Sequence, residues 1–180
     1  TSGEIYLCTD ATAGANVWKN VGAGSGNVKP YQFQGTQYGY HSGGHSFGDT
    51  INKFSFTVDG NATDVGNLTS SSTRGRGTKA ELYGYRCGSN SSVTDRIDKH
   101  SYVSGGDATD VGNMYSGRGR ASSQSEASYG WISAGGDAPN TVNILEKHSF
   151  VSDGDATDVA DASYITEACG GTNSTTHGYI

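Results

Sequence analysis

The chain has 180 residues, enough for one domain, with a formal net charge of −6 at pH 7, 28 glycines and only 2 prolines. Twelve Lys and Arg against eighteen Asp and Glu argue against a nucleic-acid surface, which gathers cations on one face, and no apolar run approaches the ~20 residues of a membrane helix. With 33% hydrophobic residues, many thin sheet layers are expected rather than one thick interior.

Residues 1–37 stand outside any repeat. Residues 4–9 read as a strand, 10–16 as a turn and 17–21 as the antiparallel partner. A lone hairpin is marginal in water, so this stretch is expected to attach or oligomerise the rest. A glycine-rich joint at 22–27 and a lead-in at 30–34 follow. A chain that begins at Thr1 is expected to be processed or partial.

From Tyr38 onward the chain repeats. Ala-Thr-Asp-Val occurs at Ala62, Ala108 and Ala156, and each copy follows a strand-like segment: Ile51-Asn52-Lys53-Phe54-Ser55-Phe56, Ile97-Asp98-Lys99-His100-Ser101-Tyr102, and Leu145-Glu146-Lys147-His148-Ser149-Phe150. Upstream of these stand Tyr38-Gly39-Tyr40, Tyr83-Gly84-Tyr85 and Tyr129-Gly130-Trp131, and His177-Gly178-Tyr179 opens a fourth copy. The lysines are 46 and 48 residues apart, a period that signifies one supersecondary unit repeated. The units are 38–82, 83–128 and 129–176, with a fourth beginning at 177, so 38–180 forms a β-repeat domain. Four strands are predicted per unit: the Tyr-Gly-aromatic segment, the lysine segment, the Ala-Thr-Asp-Val segment, and a fourth at 78–82, 122–128 and 165–169. Lys53 and Ser55 alternate with Phe54 and Phe56, as on a two-sided strand. Asp59-Gly60, Gly105-Gly106 and Asp153-Gly154 mark turns.

Four short strands in about 46 residues is the layout of a propeller blade. The glycine pairs Gly43-Gly44 and Gly135-Gly136, the aromatic strands, and Arg74-Gly75-Arg76 with Arg118-Gly119-Arg120 look like a degenerate kelch repeat. The run from Tyr38-Gly39-Tyr40 through Ile51-Asn52-Lys53-Phe54-Ser55-Phe56 to Asp59-Gly60-Asn61-Ala62-Thr63-Asp64-Val65, with the leading Gly3-Glu4-Ile5-Tyr6-Leu7-Cys8, resembles virion structural and tail-fibre-like proteins of marine bacteriophages. The resemblance covers nearly the whole chain and implies an all-β, propeller-like or prism-like domain behind an N-terminal β-hairpin. Two departures limit it. Val65, Val111 and Val159 stand where a kelch blade usually has tryptophan, and three complete units are too few to close a familiar ring.

The acidic turns are the most ligand-like feature. Asp59, Asp64, Asp153, Asp155 and Asp158 offer closely spaced oxygens of the kind Ca²⁺ takes. Their spacing matches neither an EF-hand nor a nonapeptide calcium repeat, and such residues also cap their own backbone. No other cofactor is expected. His100 and His148 occupy the slot of Phe54, which favours packing over metal binding. Cys8, Cys87 and Cys169 lack metal-type spacing and allow either one disulfide and a free thiol or three thiols. Asn61, Asn67, Asn90 and Asn173 each open a glycosylation sequon. No nucleophile or paired-carboxylate signature appears, so no enzyme is expected. Tyr31, Tyr115, Asn90 and Asp137 are the candidates for surface binding, since aromatic rings beside amides and carboxylates can stack on sugars. Tyr40, Tyr85 and Trp131 share one repeat slot and are expected to pack between sheets.

The resulting expectation is a structural, non-enzymatic virion or extracellular component, a phage tail fibre or appendage that contacts the host. Its partners would be copies of itself, other virion proteins and a host-surface glycan, without nucleic acid or membrane insertion. A carbohydrate-binding adhesin module and a self-assembling extracellular filament subunit are the alternatives.

Overall fold

The computed structural model describes residues 5–12, 17–20, 37–44, 48–90, 94–136, 141–174 and 176–180, and the chain divides into two compact units, Thr1–Thr36 and Gln37–Ile180. The glycine-rich joint at 22–27 and the lead-in at 30–34 lie outside the described residues. In the first unit β1 (Tyr6–Asp10) pairs antiparallel with β2 (Val17–Asn20), with a bulge between Cys8 and Asp10. The Asp10 carboxylate accepts from the Thr12 amide at 2.9 Å and the Thr12 hydroxyl at 2.6 Å. These bonds hold Asp10 below the ordinary carboxylate range.

The second unit is all-β, as the period and turn signals lead one to expect. No described residue is helical. Three antiparallel strands, β3 (Tyr38–Ser42), β4 (Thr50–Ser55) and β5 (Thr63–Asn67), form the first sheet. The second sheet has the order β6 (Arg76–Lys79), β7 (Tyr83–Ser89), β8 (Thr94–Ser101) and β9 (Thr109–Asn113). The third repeats that order with β10 (Ser122–Ser125), β11 (Tyr129–Gly135), β12 (Val142–Ser149) and β13 (Thr157–Asp161). Finally β14 (Thr172–Asn173) pairs with β15 (Gly178–Tyr179).

Two expectations are corrected by this topology. The fourth strand of each unit joins the sheet of the next unit, because β6 pairs with β7 and β10 with β11. Residues 165–169 are not a strand, and β14 takes the place expected for them. Ala168 and Arg74 have φ of 56° and Arg120 of 53°, a left-handed conformation that breaks an extended chain. These three residues are structural equivalents. The Arg120 amide donates to the Arg74 carbonyl at 2.7 Å and the Ala168 amide to the Arg120 carbonyl at 2.9 Å. Arg74 therefore corresponds to Arg120, and the repeated Arg-Gly-Arg spelling is offset by two residues.

The Tyr-Gly-aromatic motif has a packing cause. Gly39 lies opposite Phe54, Gly84 opposite His100 and Gly130 opposite His148 in the antiparallel register. In each pair the ring lies across the glycine, and a Cβ there would overlap it. The other face of the same strand carries the next aromatic toward the following sheet. Tyr40 meets His100 and Tyr102 at centroid separations of 5.6 and 4.6 Å, and Tyr85 meets His148 and Phe150 at 5.0 and 5.1 Å. Apolar cores fill the gaps between sheets. Ile51, Leu68 and Ala108 are buried in one cluster with Tyr40 and Val65 against them, and Tyr85, Cys87, Ile97, Met114, Ile132 and Ala156 are buried in another.

The sheets interlock through backbone. The Gly106 amide donates to the Val65 carbonyl at 2.8 Å and the Ala108 amide to the Asn67 carbonyl at 2.7 Å; one sheet further on, Gly154 and Ala156 repeat both bonds to Val111 and Asn113 at the same distances. Gly66 and Gly112 permit the approach, because a Cβ on either would lie inside the carbonyl of Gly106 or Gly154. Ala160 fills this register position in the third sheet, opposite Leu145 as Gly66 lies opposite Ile51.

Candidate functional site

Each junction between successive sheets of the three repeats holds one lysine, and these two junctions differ. On β8, Lys99 lies 4.3 Å from the centre of the Tyr83 ring and donates to both carboxylate oxygens of Asp153, at 3.0 and 2.8 Å. On β4, Lys53 lies 3.8 Å from the centre of the Tyr38 ring. The position equivalent to Asp153 in that junction is Gly105, and no carboxylate among the described residues forms an ion pair with Lys53. What remains there is a cleft of about 250 Å³ lined by Tyr40, Lys53, Val65, Tyr102, Ser104 and Gly105. Burial pushes the Tyr102 hydroxyl up to about 12, so this wall stays neutral.

A second set of polar residues caps one sheet from the next. Asp98 accepts from the Thr69 amide at 3.2 Å and the Thr69 hydroxyl at 2.6 Å. Glu146, in the same repeat slot, accepts from the Tyr115 amide at 2.6 Å and pairs with Arg118 at 2.7 Å. Arg118 also donates to the carbonyls of Ala134 at 2.7 Å and Ser116 at 2.9 Å. Sequence reasoning passed over this slot. The signal was Asn52, Asp98 and Glu146, always one residue before the lysine.

The five aspartates considered for calcium have different neighbours. Asp64 accepts from the Gly66 amide at 3.0 Å, a local cap. Asp155 accepts from the Asn113 amide at 2.9 Å and the Asn113 side chain at 3.3 Å, as Asp107 does for Asn67, so these acids cap the strand of the preceding unit. Asp153 binds Lys99, while Asp59 and Asp158 are exposed. Among the described residues no three Asp, Glu, His or Cys side chains converge as a metal-binding group. Tyr115 is exposed, and Asn90 is half-buried with its amide donating to the Thr73 carbonyl at 2.9 Å. Tyr31 and Asp137 lie outside the described residues. Cys8, Cys87 and Cys169 are all free, and burial pushes the Cys87 thiol up to about 12.

Neither a protein-family model nor a curated protein matches this chain.

The two slot histidines are buried packing residues, 5% and 2% exposed. His148 Nε2 lies 2.8 Å from the Thr78 hydroxyl across the sheet junction, and neither ring nitrogen of His100 has a hydrogen-bond partner among the described residues. Burial lowers His148 to about 4, against an opposing pull from Asp153, and also lowers His100. A histidine with a depressed native pKa binds fewer protons folded than unfolded. Its stabilising effect is complete above about pH 6.5 and is lost as the pH falls toward 4. His148→Phe, which copies Phe54, should remove roughly 3 kcal/mol of that acid-dependent loss. Urea titrations of both proteins between neutral and acid pH measure it. Parallel stability profiles would show that His148 is not the source.

Proposed function

We propose that this chain is a structural, non-enzymatic component of an extracellular assembly, a phage tail fibre, appendage or surface fibre built from kelch-like units. The observation that carries this reading is the repeated lock between sheets. The same backbone bonds, glycine approaches and aromatic contacts recur at both junctions, so the repeated residues serve to hold a stiff stack. The resemblance of the repeat to virion fibre proteins supports the setting. On this reading residues 1–37 attach or oligomerise the stack, and turns such as 45–49, 89–95 and 137–143 present its contact surface.

Light scattering on residues 1–180, with and without calcium, tests the proposal. A discrete dimer or trimer is expected, and deletion of 1–37 should abolish it while the repeats stay folded. A monomer that calcium does not change would favour the second reading, a carbohydrate-binding or adhesin module. One observation already favours that alternative, namely the open cleft at the first junction.

A further inference from the structure

We propose that the cleft at Lys53 binds a sugar acid, with the ligand's carboxylate occupying the place that Asp153 takes beside Lys99. The chain supplies its own comparison. Both junctions contain the lysine, its tyrosine and the turn that follows the aromatic strand. In the second junction the turn carries Asp153, which holds Lys99 through both oxygens. In the first it carries Gly105, and Lys53 is left with the Tyr38 ring and an open cleft.

Gly105 is not imposed by the backbone. Its φ of 63° is close to the 44° of Asp153, a conformation that aspartate tolerates. A Cβ at Gly105 would meet nothing closer than the Val65 carbonyl oxygen at 3.5 Å, so an acid would fit there. The first repeat has Asp59 in this slot and the third has Asp153. The acid is missing only from the repeat whose turn would close the first cleft.

The ligand class follows from what the cleft offers. An ammonium on an aromatic ring, without an ion-pair partner among the described residues, selects an anion, and the internal precedent for that anion is a carboxylate. A bare carboxylate would leave most of about 250 Å³ to water. A hexuronate-sized ring fills it, with Tyr40, Tyr102 and Val65 as the apolar wall and Ser104 beside them. This inference does not depend on the fibre reading. Solution mass decides one and ligand titration the other.

The test is a titration of the full chain with glucuronate, followed by NMR at the lysine side chains. Saturable shifts at Lys53 are expected, with none from glucose and only weak, non-saturating shifts from acetate at matched ionic strength. Gly105→Asp should weaken glucuronate binding about tenfold or more by supplying the internal carboxylate. Asp153→Gly should open the second junction and bring Lys99 into the response, which decides the matter even if Gly105→Asp fails to fold. Absence of saturable shifts, equal binding of acetate, or a folded Gly105→Asp that binds glucuronate unchanged would each overturn the proposal.

Discussion

Gly112→Ala should be among the most damaging single substitutions in the repeats, lowering unfolding free energy by on the order of 4 kcal/mol. The added methyl would lie inside the Gly154 carbonyl and close to the Asp155 amide, both backbone groups that no rotamer change can move aside. The third sheet would have to retreat. Retreat breaks the Gly154-to-Val111 and Ala156-to-Asn113 bonds together and strips the Asn113 amide from Asp155. Buried Ala156 and the Tyr85 stack on Phe150 would open with them. Gly60→Ala is the control. It stands in the first unit's counterpart of the Gly154 turn, where a Cβ meets nothing within 4 Å, and it should change stability little. Equal urea midpoints for Gly112→Ala and the parent chain would show that the sheets do not depend on this approach.

The repeat made much of this fold legible in the sequence. Phe54, His100 and His148 in one slot mark a packing position in the sequence itself, because a slot that accepts phenylalanine must be largely apolar. The Ala-Thr-Asp-Val strands and the Gly105-Gly106 and Asp153-Gly154 turns were legible for the same reason: the chain spells them repeatedly. Sheet membership was not legible. Arg76–Lys79 and Ser122–Ser125 are short and polar, and hydropathy does not say which neighbour a short polar strand will pair with. Arg74-Gly75-Arg76 and Arg118-Gly119-Arg120 matched by spelling, while the backbone matches Arg74 with Arg120. The candidate cleft was hidden for a further reason. It arises from a residue that breaks the pattern, Gly105, and a missing carboxylate becomes visible only once Lys99 and Asp153 are seen together.

Arg118→Ala should cost roughly 3–5 kcal/mol, because it strands a buried carboxylate. Glu146 is fully buried and Arg118 only 3% exposed, so neither charge can turn to water when its partner is lost. Glu146 would keep the Tyr115 amide alone. Burial already pushes its carboxyl above the ordinary range, with Arg118 and the Tyr115 amide pulling it back. Removing the guanidinium should raise it further, and the variant should respond to acid in a characteristic way. A carboxyl whose folded pKa is raised contributes its stability below the unfolded value of about 4.5 and loses it as the pH rises through the folded value. The deficit of Arg118→Ala should therefore be largest at neutral pH and shrink as the pH falls toward 4.5. Replacing both partners, as Arg118→Met with Glu146→Met, should recover most of the loss, since no charge is then left buried. That comparison separates the pair's two roles. If the double variant is as unstable as Arg118→Ala, the damage comes from lost packing and from the Ala134 and Ser116 carbonyls that Arg118 satisfies, and the ion pair with Glu146 is not what fastens the third sheet to the second.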